Sequence, residues 1–226
     1  MPYGAPFSVG LKPLEHLLVP GCSPDYDGRK GECAAMILPE LYILRHGETE
    51  WNQAGRWQGH LDSPLTEKGR AQAADMGALL KAEGVGSSQG YRALVSPQAR
   101  ARVTAEIALE GLGLSIEVVE DLREILVGEW TGLSMTEMRT GWPELAVDHW
   151  LDAYRNAPGG EGLESVWERA GRVLESLDGP AVIVTHGITS RALRTRAMGY
   201  SLERLEELPG GQGVVHHISG GVHRTL

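Results

Sequence analysis

The chain of 226 residues has only two cysteines, Cys22 and Cys33, and both fall within its first 35 residues. Two thiols outside the expected core give no disulfide framework. Long apolar runs are missing too. Nothing approaches the ~18 consecutive apolar residues of a membrane span, so no membrane partner is expected. An excess of basic charge is also absent: 21 Lys and Arg face 30 Asp and Glu, a formal net charge of −9. So acidic a surface repels phosphate backbones, which argues against nucleic acid as a partner, although a cluster of arginines still attracts a small anion locally. No repeat of solenoid length occurs. The short Gly/Ser stretch at residues 84–90 is too brief for a domain linker.

What is present supports one compact domain, since 42% of the residues are hydrophobic and a chain this long can bury a substantial core. Residues 1–35 stand apart. They hold five prolines and five glycines and read as a loosely ordered extension ahead of a domain spanning 36–226. The stretch "LEHLLVPGC" faintly suggests a signal ending at Cys22, but its apolar run is short and broken by Glu15 and His16, so an export signal is rejected and a cytoplasmic location expected. A further hypothesis is that Met36 is the native start and residues 1–35 are an upstream artefact. Mass spectrometry of the native protein checks this, and an N-terminus within residues 1–35 refutes it.

From residue 40 onward, apolar runs alternate with helical patterns. "LYIL" (41–44), "YRALVS" (91–96), "LSIEVVE" (114–120) and "AVIVT" (181–185) read as strands. Between the first two, Thr66 is the expected cap of a helix stopping at Gly84, with Ala73, Met76 and Leu80 facing inward. Ser96 and Pro97 are expected to open a helix ending at Gly111. Residues 131–157 read as short helices. Leu163, Val166, Ala170, Val173, Leu174 and Leu177 recur at helical spacing, and another helix follows "THG". The tail reads as two strands around Gly220-Gly221. Strands alternating with helices predict a three-layer α/β/α sandwich with a mostly parallel central sheet.

In such sheets ligands bind beyond the carboxyl ends of the strands. The residues just past those ends are Arg45 and His46, Ser96 and Arg100, Glu124 in "DLREI", and Thr185, His186 and Gly187. Two imidazoles, two guanidiniums and a carboxylate thus share one edge. Arginine forks match phosphate oxygens and stay charged. A neutral imidazole is a competent nucleophile toward phosphorus. Gly47 and Gly187 permit close backbone approach to a ligand, and a helix start after "THG" directs N–H groups at an anion. A carboxyl such as Glu124 can donate a proton to a leaving oxygen. His216 and His217 lie on opposite faces of a strand and read as structural. Arg191, Arg194 and Arg196, on late turns of a helix, read as solvated and favoured by its dipole, with a reach into the pocket as the alternative for Arg191. Trp51, Trp57 and Trp130 are candidates for a substrate mouth.

The segments "LRHGETEWN", "SPLTEKG", "SPQARARVTAE", "LREILVGEWTGL", "PGGEGLESV" and "VTHGITSRAL" occur in an order that resembles the histidine phosphatase superfamily, in its phosphoglycerate mutase-like branch, over roughly residues 40–218. The resemblance implies that His46 is the nucleophile that becomes phosphohistidine. It implies that Arg45 and Arg100 clamp the phosphoryl oxygens, with Asn52 and the backbone of Gly187 nearby. His186 then completes the pocket in protonated form, Glu124 is the general acid and base, and Gln58 and Gly59 line the substrate entrance. No metal and no cofactor are implied. The expected activity is hydrolysis of a small phosphorylated metabolite. A 2,3-bisphosphoglycerate-dependent phosphoglycerate mutase is the alternative, and a non-catalytic phosphate-binding module the lesser one. The family's mutases carry a longer arginine-bearing segment after the catalytic glutamate, whereas this chain has no arginine between Arg123 and Arg139.

Overall fold

A computed structural model describes residues 38–145 and 149–226 of the chain. The expectations for residues 1–35 and for Met36 lie outside the described residues. Six strands form one mixed sheet: β1 (Leu41–Arg45), β2 (Arg92–Val95), β3 (Ile116–Val118), β4 (Ala181–Thr185), β5 (Val215–Ser219) and β6 (Val222–Thr225), in the order β3-β2-β4-β1-β5-β6. The first four run parallel, while β5 adds antiparallel to β1 and β6 antiparallel to β5, as the predicted tail hairpin.

The side-chain alternation of each central strand feeds two separate cores. Leu41, Ile43, Leu94, Ala181 and Ile183 point to one face and pack under α6 (Gly162–Glu175) and α7 (Gly187–Ala197). Tyr42, Leu44, Ala93, Val95, Val182 and Val184 point to the other and pack under α2 (Glu67–Ala82) and α3 (Ala99–Ala108). At roughly 1.5–3 kcal/mol per buried Leu, Ile or Val, these two layers fix where the strands end, and so where the site lies. The predicted inner face of α2 is buried as expected, and Thr66 caps it through Gly69 N. In α6 the apolar positions from Leu163 to Leu174 are buried, and Leu177 lies just past the helix. Short helices α1 (Glu50–Gln53), α4 (Met135–Gly141) and α5 (Trp150–Asn156) complete the set among the described residues.

Two local expectations are corrected. Helix α3 starts at Ala99, not at Pro97, and Ser96 does not cap it. The cap comes from a distant loop, where Asp62 accepts from Ala99 N at 2.8 Å and Arg100 N at 3.3 Å. Gly47 owes its small size to packing, not to a ligand: a Cβ there would lie 2.2 Å from the Gly69 carbonyl oxygen on α2.

Candidate active site

His46 follows β1, whose last hydrogen bond runs from His46 N to the Thr185 carbonyl at 2.9 Å. The ring is buried, and Nδ1 lies 2.8 Å from the Gly47 carbonyl. A carbonyl only accepts, so Nδ1 carries the proton and Nε2 keeps its lone pair. Burial first, then the charges of Arg45 and Arg100, hold the pKa of this histidine well below the ordinary value. The imidazole is therefore neutral at physiological pH.

Arg100 projects from the first turn of α3 and is almost wholly buried. Its outer edge is held by the Leu61 carbonyl at 2.6 Å, Asp62 at 2.8 Å and the Gly59 carbonyl at 2.9 Å. Its Nε is buried without a partner, and so is Nε of Arg45. Both guanidiniums line a cavity of about 250 Å³ together with His46, Asn52, Gln58, Gly59 and Glu124.

His186 ends the loop after β4 and caps α7. Its ring centroid lies 5.2 Å from that of His46, within reach of one phosphoryl group. Nε2 lies 2.6 Å from Ser96 Oγ, while Nδ1 is buried and unpaired. Burial, reinforced by Arg100, His46 and Arg45, holds its pKa well below the usual histidine range. In contrast to the protonated His186 that the resemblance implies, dry surroundings and nearby cations favour the neutral ring here. His186 is not among the residues that line the cavity, although its ring neighbours that of His46, which is.

Glu124 reaches the start of α7. Its carboxylate accepts from Ile125 N (3.0 Å), Ile188 N (3.2 Å), Thr189 N (3.3 Å) and Thr189 Oγ1 (3.3 Å). The helix start therefore holds the chain's own carboxylate, and only Gly187 N remains without a partner among the described residues. Gly187 lines a neighbouring cavity rather than the first one. Asn52 closes a capping box with Thr49, and its Oδ1 also accepts from Gln212, which leaves its NH2 for the cavity. Gln58 donates to Thr49 at 2.8 Å, and Gly59 acts through the carbonyl that holds Arg100.

Several supports were not legible as site residues. Gln98 bridges two loops, donating to the Gly59 carbonyl at 2.9 Å and accepting from Glu124 N at 2.6 Å. Glu161 pairs with buried Arg169 at 2.9 Å and accepts from Leu126 N at 2.8 Å, which fixes the loop carrying Glu124. Tyr154 of α5 lines the cavity and stacks on Trp57 at 4.5 Å. Of the three tryptophans expected at the mouth, only Trp57 lines the cavity, and Trp130 is fully buried in the core.

A neutral, oriented imidazole among guanidiniums at a parallel sheet edge is the arrangement of a phosphoryl-transfer enzyme. Comparison with known proteins agrees. Residues 41–223 match the histidine phosphatase superfamily (branch 1), and the chain belongs to that family of phosphatase-type enzymes. It is 34% identical over 203 residues to a 2,3-bisphosphoglycerate-dependent phosphoglycerate mutase of Parvibaculum lavamentivorans, covering 83% of this chain and 95% of the relative. Among solved structures, the YhfR protein of Bacillus stearothermophilus is 35% identical with a TM-score of 0.69, covering 82% of this chain and 94% of that one. A mycobacterial glucosyl-3-phosphoglycerate phosphatase in complex with VO3 is 29% identical with a TM-score of 0.67, covering 83% and 96%. Among the described residues no helix is long and apolar enough to cross a membrane.

Proposed function

We propose that this chain is a metal-independent phosphatase that hydrolyses a small phosphate monoester through a phosphohistidine on His46. The observation that carries the reading is the contact of His46 Nδ1 with the Gly47 carbonyl, which leaves Nε2 free beside Arg45 and Arg100. Asn52, Gln58 and Gly59 shape the pocket around the ester.

In the first step the Nε2 lone pair forms a bond to phosphorus while the bond to the ester oxygen breaks. Glu124 gives a proton to the departing alkoxide. In the second step water forms a bond to phosphorus and the N–P bond breaks. Glu124 takes the proton from that water and is restored. The loose transition state spreads negative charge over three oxygens, and preset charge stabilises it without reorganisation. Arg45 and Arg100 supply that charge. His186, unpaired at Nδ1 and 5.2 Å from His46 between ring centroids, adds to that stabilisation, and the backbone of Gly187 lies beside it.

The test is phosphate release from a panel of monoesters in the presence of chelator, with acid quench to trap the phosphoenzyme. Wild type should turn over and show an acid-labile adduct that His46→Ala lacks. Turnover by His46→Ala, or dependence on added divalent metal, refutes the reading. A second reading, a bisphosphoglycerate-dependent mutase, is favoured by the name of the Parvibaculum relative. The absence of arginine between Arg123 and Arg139 speaks for the hydrolase. Rapid interconversion of phosphoglycerates with little free phosphate would reverse the choice.

A further inference from the structure

Gln98 stands at the position that caps α3, where Ser, Thr, Asp or Asn is usual, yet its side chain makes no capping bond. Asp62 supplies the cap from outside the helix. The amide so released is buried, with the residue only 7% exposed. Its Nε2 donates to the Gly59 carbonyl at 2.9 Å, and its Oε1 accepts from Glu124 N at 2.6 Å. The two ends cannot be exchanged, because a carbonyl only accepts and a backbone N–H only donates. A residue that breaks the local preference for a helix cap and spends its side chain across two loops marks a constraint from the site.

Both partners line the cavity at His46. The Gly59 carbonyl also accepts from Arg100 Nη2 at 2.9 Å, so one oxygen joins the guanidinium and the amide. Glu124 is held at two points: its carboxylate by the start of α7, and its backbone N by Gln98. Without the second, the residue pivots about the first. The backbone of Gln98 serves a third group. Its N–H donates to Ser96 Oγ at 3.3 Å, and that hydroxyl lies 2.6 Å from His186 Nε2. This last bond survives a change of side chain. Arg100 likewise keeps its own bonds to Leu61, Asp62 and Gly59. Loss of the amide therefore falls on Glu124.

We infer that Gln98 is a positioning residue for the reaction: its amide ties the backbone of Glu124 to the loop that clamps Arg100, and so presents the carboxyl to the leaving oxygen of a phosphate held by Arg100. This inference rests on the phosphatase reading for the roles of Glu124 and Arg100. It dictates which esters suffer when the amide is lost. A departing alkoxide needs a proton in the transition state, whereas nitrophenolate leaves without one. Loosening Glu124 slows alkyl esters and spares nitrophenyl esters. A general weakening of the fold slows both alike.

The test is kcat/KM of the full chain on propyl phosphate and on nitrophenyl phosphate. Gln98→Met, or Gln98→Ala should the first not fold, should lose about tenfold or more on propyl phosphate and less than about threefold on nitrophenyl phosphate. Gln98→Glu keeps an oxygen for Glu124 N and should hold the ratio of the two within about threefold of wild type. Equal losses on both esters, no loss on either, or a ratio that shifts as far in Gln98→Glu as in Gln98→Met or Gln98→Ala, overturns the assignment. Failure of the phosphatase reading shows separately, as wild type releasing no phosphate from either ester.

Discussion

Asp62 is outside every segment that carries chemistry, yet it serves two loads at once. Its carboxylate caps α3 through Ala99 N and Arg100 N, and it pairs with the buried Arg100 guanidinium at 2.8 Å. The two roles separate by substitution. Asp62→Asn keeps an oxygen for the cap and removes the charge, whereas Asp62→Ala removes both. A lost cap costs ~1 kcal/mol, and a lost hydrogen bond to a charged group ~1.5–3 kcal/mol. Asp62 is itself 32% exposed, which places the second figure toward its lower end. Asp62→Ala should therefore destabilise by ~2–3 kcal/mol and Asp62→Asn by ~1–2 kcal/mol. In a domain of this size that lowers Tm by about 4–12 °C and about 2–8 °C respectively. Both should lower kcat/KM on a monoester about tenfold or more, because Arg100 loses the strut that aims it. Differential scanning calorimetry and steady-state kinetics read the two effects. If both variants keep wild-type kcat/KM, Arg100 is not positioned from this side. If Asp62→Asn loses as much stability as Asp62→Ala, the cap is not a separate contribution.

Replacing His46 by Ala should abolish both phosphate release and the trapped adduct, read by acid quench. The buried histidines also set a pH dependence. His46, His186 and His216 all have folded pKa values below the unfolded ~6.5, with directions given above and about 3 for His216. Between those values the unfolded chain binds more protons, so stability is full above the unfolded pKa and falls as pH drops through it, by up to ~1.4 kcal/mol per pH unit for each histidine. Unfolding monitored from pH 7 to 4.5 should show this, and His216→Gln should flatten the slope; a slope unchanged by that substitution counts against it. For the same reason kcat/KM should show no acid limb near pH 6.5 from the nucleophile. Gly47→Ala should fail to give stable protein, given the 2.2 Å clash. Gly187→Ala meets only ordinary contacts, 3.4 Å to Glu124 Oε2 and 3.5 Å to Arg45 Cζ. It should keep Tm within a few degrees while losing activity, because its methyl lies between the two working groups.

The layers and the strand ends were legible because short apolar runs and their alternation report burial locally. His46, Arg100, Glu124 and His186 stand just past those ends, so topology alone collects them at one edge. What holds them was not legible. Ser96 and His186 are 90 residues apart, and Asp62 and Arg100 are 38 apart. Neither pairing leaves a periodic trace. Ser96 before a proline read as a helix cap, and the distant Asp62 took that role. Arg194 read as solvated because basic residues late in a helix usually are, yet it is buried, while Arg191 is half-buried and held by the turn carrying Leu208 and Gly210. Tyr154 belongs to the mixed segment before α6, where neither helical nor strand period dominates.

The unpaired polar atoms are themselves an argument about the ligand. Folded proteins pair nearly all buried polar groups, and each one left bare costs about 1–3 kcal/mol, more when charged. Here Arg45 Nε, Arg100 Nε and His186 Nδ1 are all buried and bare, and Gly187 N has no partner among the described residues. These four belong to side chains and backbone brought from three different strand ends. Buried orphans occur elsewhere too, Trp130 Nε1 and Arg194 Nη1 among them, but Arg45, Arg100 and His186 all stand close to one imidazole whose free lone pair is directed by its neighbour's carbonyl. A tetrahedral dianion offers oxygens enough to satisfy all of them, and no neutral ligand of that size does. Binding of such an anion offsets what the bare groups cost. On this argument inorganic phosphate should raise Tm of the wild type, and Arg100→Met, which removes one of the unpaired donors with its charge, should weaken that rise. A Tm indifferent to phosphate at concentrations up to tens of millimolar would break the link between the bare groups and the ligand.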